Sequence, residues 1–204
     1  MKVIIVEGCD NTGKDSLING IANYYGQKRV KLFHAGVPKS DNIYQYYHDG
    51  LLKNTLDHYF EYDKYDALIH NRSMYGEYVY GPKYRNRNKD DTIDTIMNLE
   101  TGMLRTYIRE SELYFILLTS DDPDVIVNND DGLSHSAKRE DIIDEMNSFD
   151  EIFNSVTLTF TTLTCSLSVE PQRTYIVPSN TDGAVSTTNV IFPLVIIFNA
   201  LAGL

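Results

Sequence analysis

The 204-residue chain has no tryptophan, only two cysteines and fewer basic than acidic residues. Cys9 and Cys165 alone cannot form a disulfide framework or a cysteine-rich metal site. With 18 basic and 29 acidic residues the net charge is −11. This balance argues against nucleic acid as a partner, since sequence-independent duplex binding needs a basic surface. Small anions remain suitable ligands, because a few arginines and backbone amides can form a local positive pocket.

Long hydrophobic runs are also missing. No basic segment followed by an apolar run stands at the amino terminus, so we expect no signal peptide and a reducing, cytoplasmic location. The apolar stretch 189–204 is shorter than the ~20 residues that cross a bilayer, and it contains Pro193. We expect this stretch to be a helix that packs on the core or at a dimer interface, in preference to a membrane-surface segment.

Segments typical of strands alternate with segments typical of helices along most of the chain. Strands are predicted at 2–8, 29–35, 65–71, 112–120 and 174–180, and helices at 16–25, 41–62 (with an interruption at Gly50 left open), 91–110 and 137–154. The alternation predicts a single α/β domain over residues 1–204, a three-layer sandwich around a central, mostly parallel five-stranded sheet. The tyrosine-rich segment 71–85 is predicted to be a loop. The Thr/Ser-rich segment 156–172 looks like an edge hairpin of unknown place.

The segment VEGCDNTGKDSLI, residues 6–18, joins the first predicted strand to the first predicted helix. It has a glycine, four residues, then glycine and lysine, which is the spacing of a phosphate-binding P-loop. Glycines let backbone N–H groups face phosphate oxygens, and the helix N-terminus adds positive charge. We therefore expect ATP to bind here, with Lys14 at the terminal phosphates. The candidate contacts are Gly8, Asp10, Asn11, Thr12, Gly13, Lys14, Asp15 and Ser16.

Asp15 stands where the usual motif has the hydroxyl that binds Mg²⁺. A carboxylate is also a good Mg²⁺ ligand, and Ser16 could supply a hydroxyl one residue later. Alternatively, Asp15 turns away and stabilises the N-terminus of the helix. We favour coordination, so Asp15 and Ser16 are the candidate metal ligands.

The loop and two later segments resemble the thymidylate kinase branch of the P-loop kinases. Glu7 precedes the first glycine and Asp10 follows it, as in that branch, and Asn71-Arg72 ends the third predicted strand where the branch has Asp-Arg. The continuation RSMYGEYVYGPKYR is similar to bacteriophage deoxynucleoside monophosphate kinases. Residues 130–153 resemble a lid, at about 128–140, and the helix that follows it.

The resemblance covers about residues 1–155 and implies a P-loop kinase three-layer sandwich. It further implies an enzyme of nucleotide biosynthesis that uses ATP and Mg²⁺ to phosphorylate a deoxynucleoside monophosphate. A pyrimidine such as dTMP would be the acceptor. The partners would then be small nucleotides, and the location would be the cytoplasm, that of an infected host if the protein is from a phage. A homodimer is also suggested by the resemblance, but by no residue pattern.

The resemblance also implies residue roles. Lys14, Arg72 and Arg139 would be catalytic, with Arg72 clamping the acceptor phosphate through its planar guanidinium. Lys138 and Arg139 would be cationic lid groups that stabilise transition-state charge and exclude water. The candidate substrate contacts are Asp10, Arg72, Tyr80, Arg85 and Lys138. One of the tyrosines at positions 44, 46, 47, 75, 78, 80 and 84 is expected to contact the base, and which of them does so is left open. For Arg85 a solvent-exposed position is about as well supported as a phosphate contact.

Asn71 departs from the family's aspartate. We hypothesise that Asp15 compensates for this change by supplying the metal with a carboxylate from the other side of the site. Two other functions stay open. A nucleoside kinase acting on a 5′-hydroxyl would need a carboxylate base, for which Glu7 or Asp10 is suited. A nucleotide-binding protein with impaired catalysis would explain both Asp15 and Asn71.

Overall fold

The computed structural model describes residues 2–39, 41–61, 64–104, 112–130, 132, 134, 136, 138–155, 161–167 and 194–198. The strands are β1 (Lys2–Gly8), β2 (Val30–His34), β3 (Ala67–Asn71), β4 (Glu112–Ser120), β5 (Thr161–Leu167) and β6 (Leu194–Phe198). The helices are α1 (Lys14–Tyr25), α2 (Ile43–Glu61), α3 (Tyr75–Tyr84), α4 (Lys89–Leu99), α5 (Pro123–Asn128) and α6 (Arg139–Ser155). A 3₁₀ turn (Gln27–Arg29) precedes β2, and a π-helical turn (Glu100–Leu104) continues α4.

The strands form one sheet in the order β2-β3-β1-β4-β5-β6. Neighbouring strands from β2 to β5 are parallel, and β6 pairs antiparallel with β5. Parallel strands need crossover connections, which the intervening helices supply. The predicted α/β class and mostly parallel sheet are confirmed. The described sheet has six strands where five were predicted.

The core lies on both faces of β1 and β3, whose apolar runs are buried throughout their central residues. Val3 and Ile5 face a cluster that includes Phe115. Ile4 and Val6 face the opposite cluster. Burial on both faces is why these strands are continuously apolar instead of alternating. It also makes β1 a rigid base for the loop that follows it.

Several local predictions are wrong. Residues 75–84 form helix α3, not a loop, although it contains Gly76, Gly81 and Pro82. Its tyrosines are buried against the core, and this packing overrides the weak intrinsic propensity of the segment. Helix α2 runs through Gly50 without a break, and the short helix α5 was not predicted.

The carboxy-terminal part also differs from its prediction. Residues 194–198, LVIIF, form strand β6 where a helix was predicted, in keeping with the preference of β-branched and aromatic residues for strands. Within 156–172, residues 161–167 form β5, which pairs in parallel with β4. The predicted strand at 174–180 lies outside the described residues. Among the helices that the structure describes, none has the length and apolar character that a membrane span requires.

Candidate active site

The phosphate loop (residues 8–15) leaves the carboxyl end of β1, between β3 and β4. Its backbone depends on glycine: Gly8 has φ of 144°, and a Cβ there would lie 2.3 Å from the carbonyl oxygen of Leu118. Gly13 has φ of 85°, and Asn11 has φ of 60°. Glycine adopts such angles readily, and asparagine does so more easily than most residues. The predicted loop is therefore formed, at the edge of the sheet where open α/β folds bind ligands.

Lys14 is buried under the loop at the start of α1. Its Nζ donates to the carbonyl oxygens of Gly8 at 2.9 Å and Cys9 at 2.5 Å. Burial, together with the nearby charge of Arg72, lowers the pKa of Lys14 to about 8. Phosphate oxygens at this loop would offset the cost of burial, because they supply the negative charge that the ammonium group needs.

Thr12 and Asn11 stabilise the loop in different ways. The buried hydroxyl of Thr12 donates to the carbonyl oxygen of Cys9 at 2.8 Å, which closes the loop on itself. The side-chain amide of Asn11 donates to Ser134 Oγ at 2.6 Å and to Asp130 Oδ1 at 3.2 Å. Asn11 therefore connects the phosphate loop to the segment in which the lid was predicted.

Arg72 stands at the end of β3 and pairs with Asp10 of the phosphate loop. Both side chains keep some exposure, 34% for Arg72 and 16% for Asp10. Arg72 has φ of 67°, and its backbone N–H donates to the carbonyl oxygen of Val6 at 3.0 Å. A guanidinium group thus lies across the loop, paired with a carboxylate that neutralises part of its charge.

Glu7 is buried where β1 ends, directly before the loop. Its Oε1 accepts hydrogen bonds from both the backbone N–H and the hydroxyl of Ser73, each at 2.6 Å. Burial raises the pKa of Glu7 to about 7, although the Ser73 bonds and the charges of Lys14 and Arg72 act in the opposite direction. Desolvation therefore outweighs the two cations.

Asn71 and Asp15 are in direct contact. The amide Nδ2 of Asn71, itself buried, donates to Oδ1 of the exposed Asp15 at 2.7 Å. The residue that replaces the hydroxyl of the usual P-loop motif, Asp15, therefore faces Asn71, which replaces the aspartate expected before Arg72. Asp15 is oriented by this bond and remains exposed to solvent. Ser16, the other candidate metal ligand, is exposed on the first turn of α1.

A cleft of about 480 Å³ opens beside Arg72, between α2 and the ends of β2 and β3. Its walls are mainly apolar and aromatic, formed by Ile5, Phe33, Tyr47, Met74 and Tyr75 among others. Polar groups on α2, at Asp49, Lys53 and Asn54, line its other side. This volume lies within the range of roughly 300–1,000 Å³ typical of small-molecule sites.

Phe33 and His70 stack in the wall of this cleft, with ring centroids 5.1 Å apart. Burial lowers the pKa of His70 to about 4, so its ring is uncharged at neutral pH. Flat neutral rings of this kind are suited to contact with a nucleobase, for which stacking contributes ~1–3 kcal/mol.

Arg85, a predicted phosphate contact, is held by a buried carboxylate instead. Its Nη1 donates to Glu77 Oε2 at 2.9 Å, and Arg87 Nε lies 2.8 Å from Glu77 Oε1. Arg87 also donates to the carbonyl oxygen of Asp41, just before α2. Gly81 makes room for this group, since a Cβ there would lie 2.8 Å from Glu77 Oε1. These contacts join the end of α3 to the segment just before α2.

Tyr80, a candidate substrate contact, packs in the core. Its ring lies against those of Tyr84 and Phe149, and only 6% of the residue is exposed. The charges that act on its hydroxyl include those of Asp10, Glu145 and Arg72, which places it near the phosphate loop. Within the part of the chain that the structure describes, this hydroxyl has no hydrogen-bond partner.

The predicted lid cations point to the surface. Arg139 Nε donates to Asp124 Oδ1 at 2.8 Å, and both side chains are more than half exposed. Lys138 is exposed as well. Lys14, Asp10 and Arg72 are thus brought together as predicted, whereas the described contacts of Arg139 do not include the phosphate loop.

A buried cluster on α6 was missed by sequence reasoning. Oε1 of Glu145 accepts from the hydroxyls of Tyr84, at 2.6 Å, and of Ser136, which connects the predicted lid segment to α3 and α6. The sequence contained a signal for it, because Glu145 falls at helical spacing between the apolar residues Ile142 and Phe149, which share the buried face of α6 with it. An acid at a core position is informative because it must be hydrogen-bonded there.

Comparison with known proteins rests on structure alone. No family model matches the chain, and no curated protein matches its sequence. The YorR protein from Bacillus subtilis, solved in complex with phosphorylated GDP, superposes with a TM-score of 0.52 at 14% identity, over 79% of this chain and 84% of that one. The chain has the P-loop kinase fold.

Polyphosphate kinase 2 from Arthrobacter aurescens TC1 is similar in the same way. It superposes with a TM-score of 0.53 at 13% identity, and the match covers 79% of this chain. The match spans 59% of the length of polyphosphate kinase 2. At these identities the likeness establishes the fold, while the acceptor and the reaction have to be argued from the residues.

Proposed function

We propose that the protein transfers the γ-phosphoryl group of ATP to a deoxynucleoside monophosphate, with dTMP or a related pyrimidine as the acceptor. The observation that carries the proposal is the place of Arg72. It lines the cleft beside α2 and pairs across the phosphate loop with Asp10. One guanidinium group therefore adjoins both the donor loop and a cleft of the size typical of small-molecule sites.

The donor would bind along the phosphate loop. Backbone N–H groups of the loop and the N-terminus of α1 hold the phosphates, and Lys14 moves its ammonium group from the carbonyls of Gly8 and Cys9 to phosphate oxygens. The lid segment, attached through Asn11 to Asp130 and Ser134, would cover the loop and keep water from the transferring group.

The acceptor would bind in the cleft. Its base would lie among the aromatic walls, near the stacked rings of Phe33 and His70. Its phosphate would displace Asp10 from Arg72 in part, since the guanidinium group can bind two phosphate oxygens at once. Catalysis would then consist of alignment and charge stabilisation, because an ionised acceptor phosphate needs no strong base.

Magnesium fits the residues present. Mg²⁺ is commonly bound by one or two carboxylates together with substrate phosphates and water. Asp15 offers a carboxylate on the exposed first turn of α1, next to Lys14, and Asn71 orients it. When bound, the ion would neutralise phosphate charge during transfer. Ser16 is the second candidate ligand.

The choice of a deoxynucleoside monophosphate as the acceptor is supported by the segment around Arg72, which resembles that of thymidylate kinases.

A nucleoside acceptor with a free 5′-hydroxyl is the second candidate. The observation that favours it is the pairing of Arg72 with Asp10, which leaves less net positive charge for a second phosphate. Asp10 keeps 16% exposure and is well placed to accept the proton of a hydroxyl group. Buried Glu7 is less suited to that task.

The test is ADP release from ATP with a panel of deoxynucleosides and their monophosphates, with and without Mg²⁺. Turnover restricted to monophosphates supports the first candidate. Turnover with nucleosides supports the second. Tight ATP binding without acceptor-dependent turnover would contradict both and would indicate a nucleotide-binding protein with impaired catalysis.

A further inference from the structure

We propose that Glu7 is a positioning residue for Arg72, holding the turn after β3 in the conformation that directs the guanidinium group at the phosphate loop. The inference rests on the proposed function, in which Arg72 binds the acceptor phosphate. It gives Glu7 a role different from that of a catalytic base.

The backbone of Arg72 needs such support. Its φ of 67° lies in the left-handed region. Residues with a Cβ occupy this region at a cost, and they remain there only where the surrounding structure holds them. In the more common right-handed or extended conformation the side chain would leave the same Cα in another direction, away from Asp10.

Two consecutive residues of β1 provide the support. The carbonyl oxygen of Val6 accepts from the backbone N–H of Arg72 at 3.0 Å. The carboxylate of Glu7 accepts from the backbone N–H of Ser73 and from its hydroxyl, both at 2.6 Å. The first contact is independent of side-chain identity, whereas the other two depend on Glu7. The peptide unit on each side of Arg72 is thus held by β1.

The environment of Glu7 favours this role over proton transfer. Only 1% of the residue is exposed, and Oε1 is occupied by both Ser73 donors. A Cβ added at Gly76 would lie 3.6 Å from Oε2, so the first turn of α3 covers the second oxygen. A buried carboxylate is costly unless it is hydrogen-bonded, and here the hydrogen bonds fix the backbone beside Arg72.

Glu7→Ala and Glu7→Gln separate the two roles. Glutamine keeps an Oε1 that can accept both Ser73 donors, whereas alanine keeps none. For positioning, we expect Glu7→Ala to raise the KM for dTMP about tenfold or more while the KM for ATP stays within about twofold. Glu7→Gln should hold both values near those of the wild type. An equal loss of kcat in the two variants would show proton transfer and overturn the inference.

A double variant tests whether Glu7 acts through Arg72. In an Arg72→Ala background, Glu7→Ala should have no further effect on the KM for dTMP, because the group that it positions is gone. A full additional effect in that background would contradict the inference. Ser73→Ala removes one donor, leaves Glu7 in place and should give an intermediate KM; it replaces Glu7→Ala if that variant does not fold.

A structural readout keeps this test independent of the proposed function. In a crystal structure of Glu7→Ala we expect Arg72 to leave positive φ and to lose its ion pair with Asp10. Ser73→Ala keeps the backbone N–H donor, and we expect it to show the same change in part of the molecules. Arg72 unchanged in both variants would overturn the inference, whatever the acceptor. A wild-type protein that phosphorylates no monophosphate would contradict the proposed function, and the crystal structures would still decide the role of Glu7.

Discussion

The side-chain amide of Asn71 donates a hydrogen bond of 2.7 Å to Oδ1 of Asp15. The bond joins the end of β3 to the first turn of α1. It also joins the residue that replaces the hydroxyl of the usual P-loop motif, Asp15, to the residue that replaces the aspartate expected before Arg72, Asn71. A neutral amide at position 71 can face a carboxylate at position 15 without repulsion. An aspartate at both positions would place two carboxylates in hydrogen-bond contact, which raises the pKa of one of them unless a cation lies between them.

This contact predicts the behaviour of Asn71→Asp. Without Mg²⁺, we expect the variant to be less stable than the wild type by about 1–2 kcal/mol, a low value because Asp15 is exposed. Added Mg²⁺ should restore its melting temperature and should change that of the wild type much less. Thermal unfolding with and without Mg²⁺ measures this. The double variant Asp15→Ser with Asn71→Asp is the control, and it should behave like the wild type in the absence of Mg²⁺.

Asp15→Ala tests whether the carboxylate supports the metal. We expect a large increase in the Mg²⁺ concentration required for half-maximal ADP release, of about tenfold or more, because a ligand or the group that orients bound water is lost. The related variant Ser16→Ala should have a smaller effect. Undiminished Mg²⁺-dependent activity in Asp15→Ala would show that Asp15 only stabilises the helix N-terminus.

Gly8 and Gly13 form a matched pair for testing the loop. Both have positive φ, but only Gly8 faces a backbone atom, the carbonyl oxygen of Leu118, at 2.3 Å from a built Cβ. Gly13 faces open space. We expect Gly13→Ala to cost about 1 kcal/mol of unfolding free energy for its conformation, and Gly8→Ala to cost a further 1–3 kcal/mol or so for the clash. Denaturant unfolding compares them, and equal costs would contradict the placement of Gly8.

The buried carboxylate of Glu7 predicts a pH dependence of stability. Its pKa is raised from 4.5 to about 7 in the folded protein, so the folded state favours the protonated form. The stability linked to that form is fully present below pH 4.5 and is lost as pH rises through 7. Relative to Glu7→Gln, the wild type should lose roughly 3 kcal/mol across this window, since one pKa unit corresponds to 1.36 kcal/mol. Urea unfolding of both proteins at pH 5 and pH 8 measures the difference, and a constant difference would contradict the assignment.

Arg139 and Asp124 offer another matched pair. If Arg139 acts on the phosphates when the lid closes, Arg139→Ala should lower kcat by about tenfold or more. Asp124→Ala removes only the surface partner and should leave kcat unchanged or slightly higher. If Arg139 serves the exposed ion pair alone, neither variant should alter kcat, because such pairs contribute little. Steady-state kinetics of the two variants distinguish these outcomes.

The sequence predicted the parts of the site that depend on local rules. The spacing from Gly8 to Lys14, placed between a strand and a helix, was sufficient for the phosphate loop. The end of β3 at Asn71, directly before Arg72, followed from a buried apolar run. Parallel strands bring their carboxyl ends to one edge of the sheet, so the meeting of Arg72 with the loop was also foreseeable.

What the sequence could not predict depends on tertiary contacts. Helix α3 contains glycines and a proline, and it is stabilised by burial of its tyrosines, which no local propensity reports. The hydrogen bond that Ser73 donates to Glu7 joins residues 66 positions apart, and the one that Asn11 donates to Ser134 joins residues 123 positions apart. For Arg85 the sequence left a phosphate contact and a solvent-exposed position open, and the structure pairs its guanidinium group with Glu77, eight residues earlier.

The central claim is phosphoryl transfer to an acceptor monophosphate held by Arg72. The most direct measurement is a single-turnover reaction of the wild type with γ-³²P-labelled ATP, Mg²⁺ and dTMP, with Arg72→Ala as the comparison. We expect labelled dTDP from the wild type and far less from the variant at the same dTMP concentration. Label found only in ATP and inorganic phosphate, with dTMP and the related pyrimidine monophosphates all unlabelled, would contradict it.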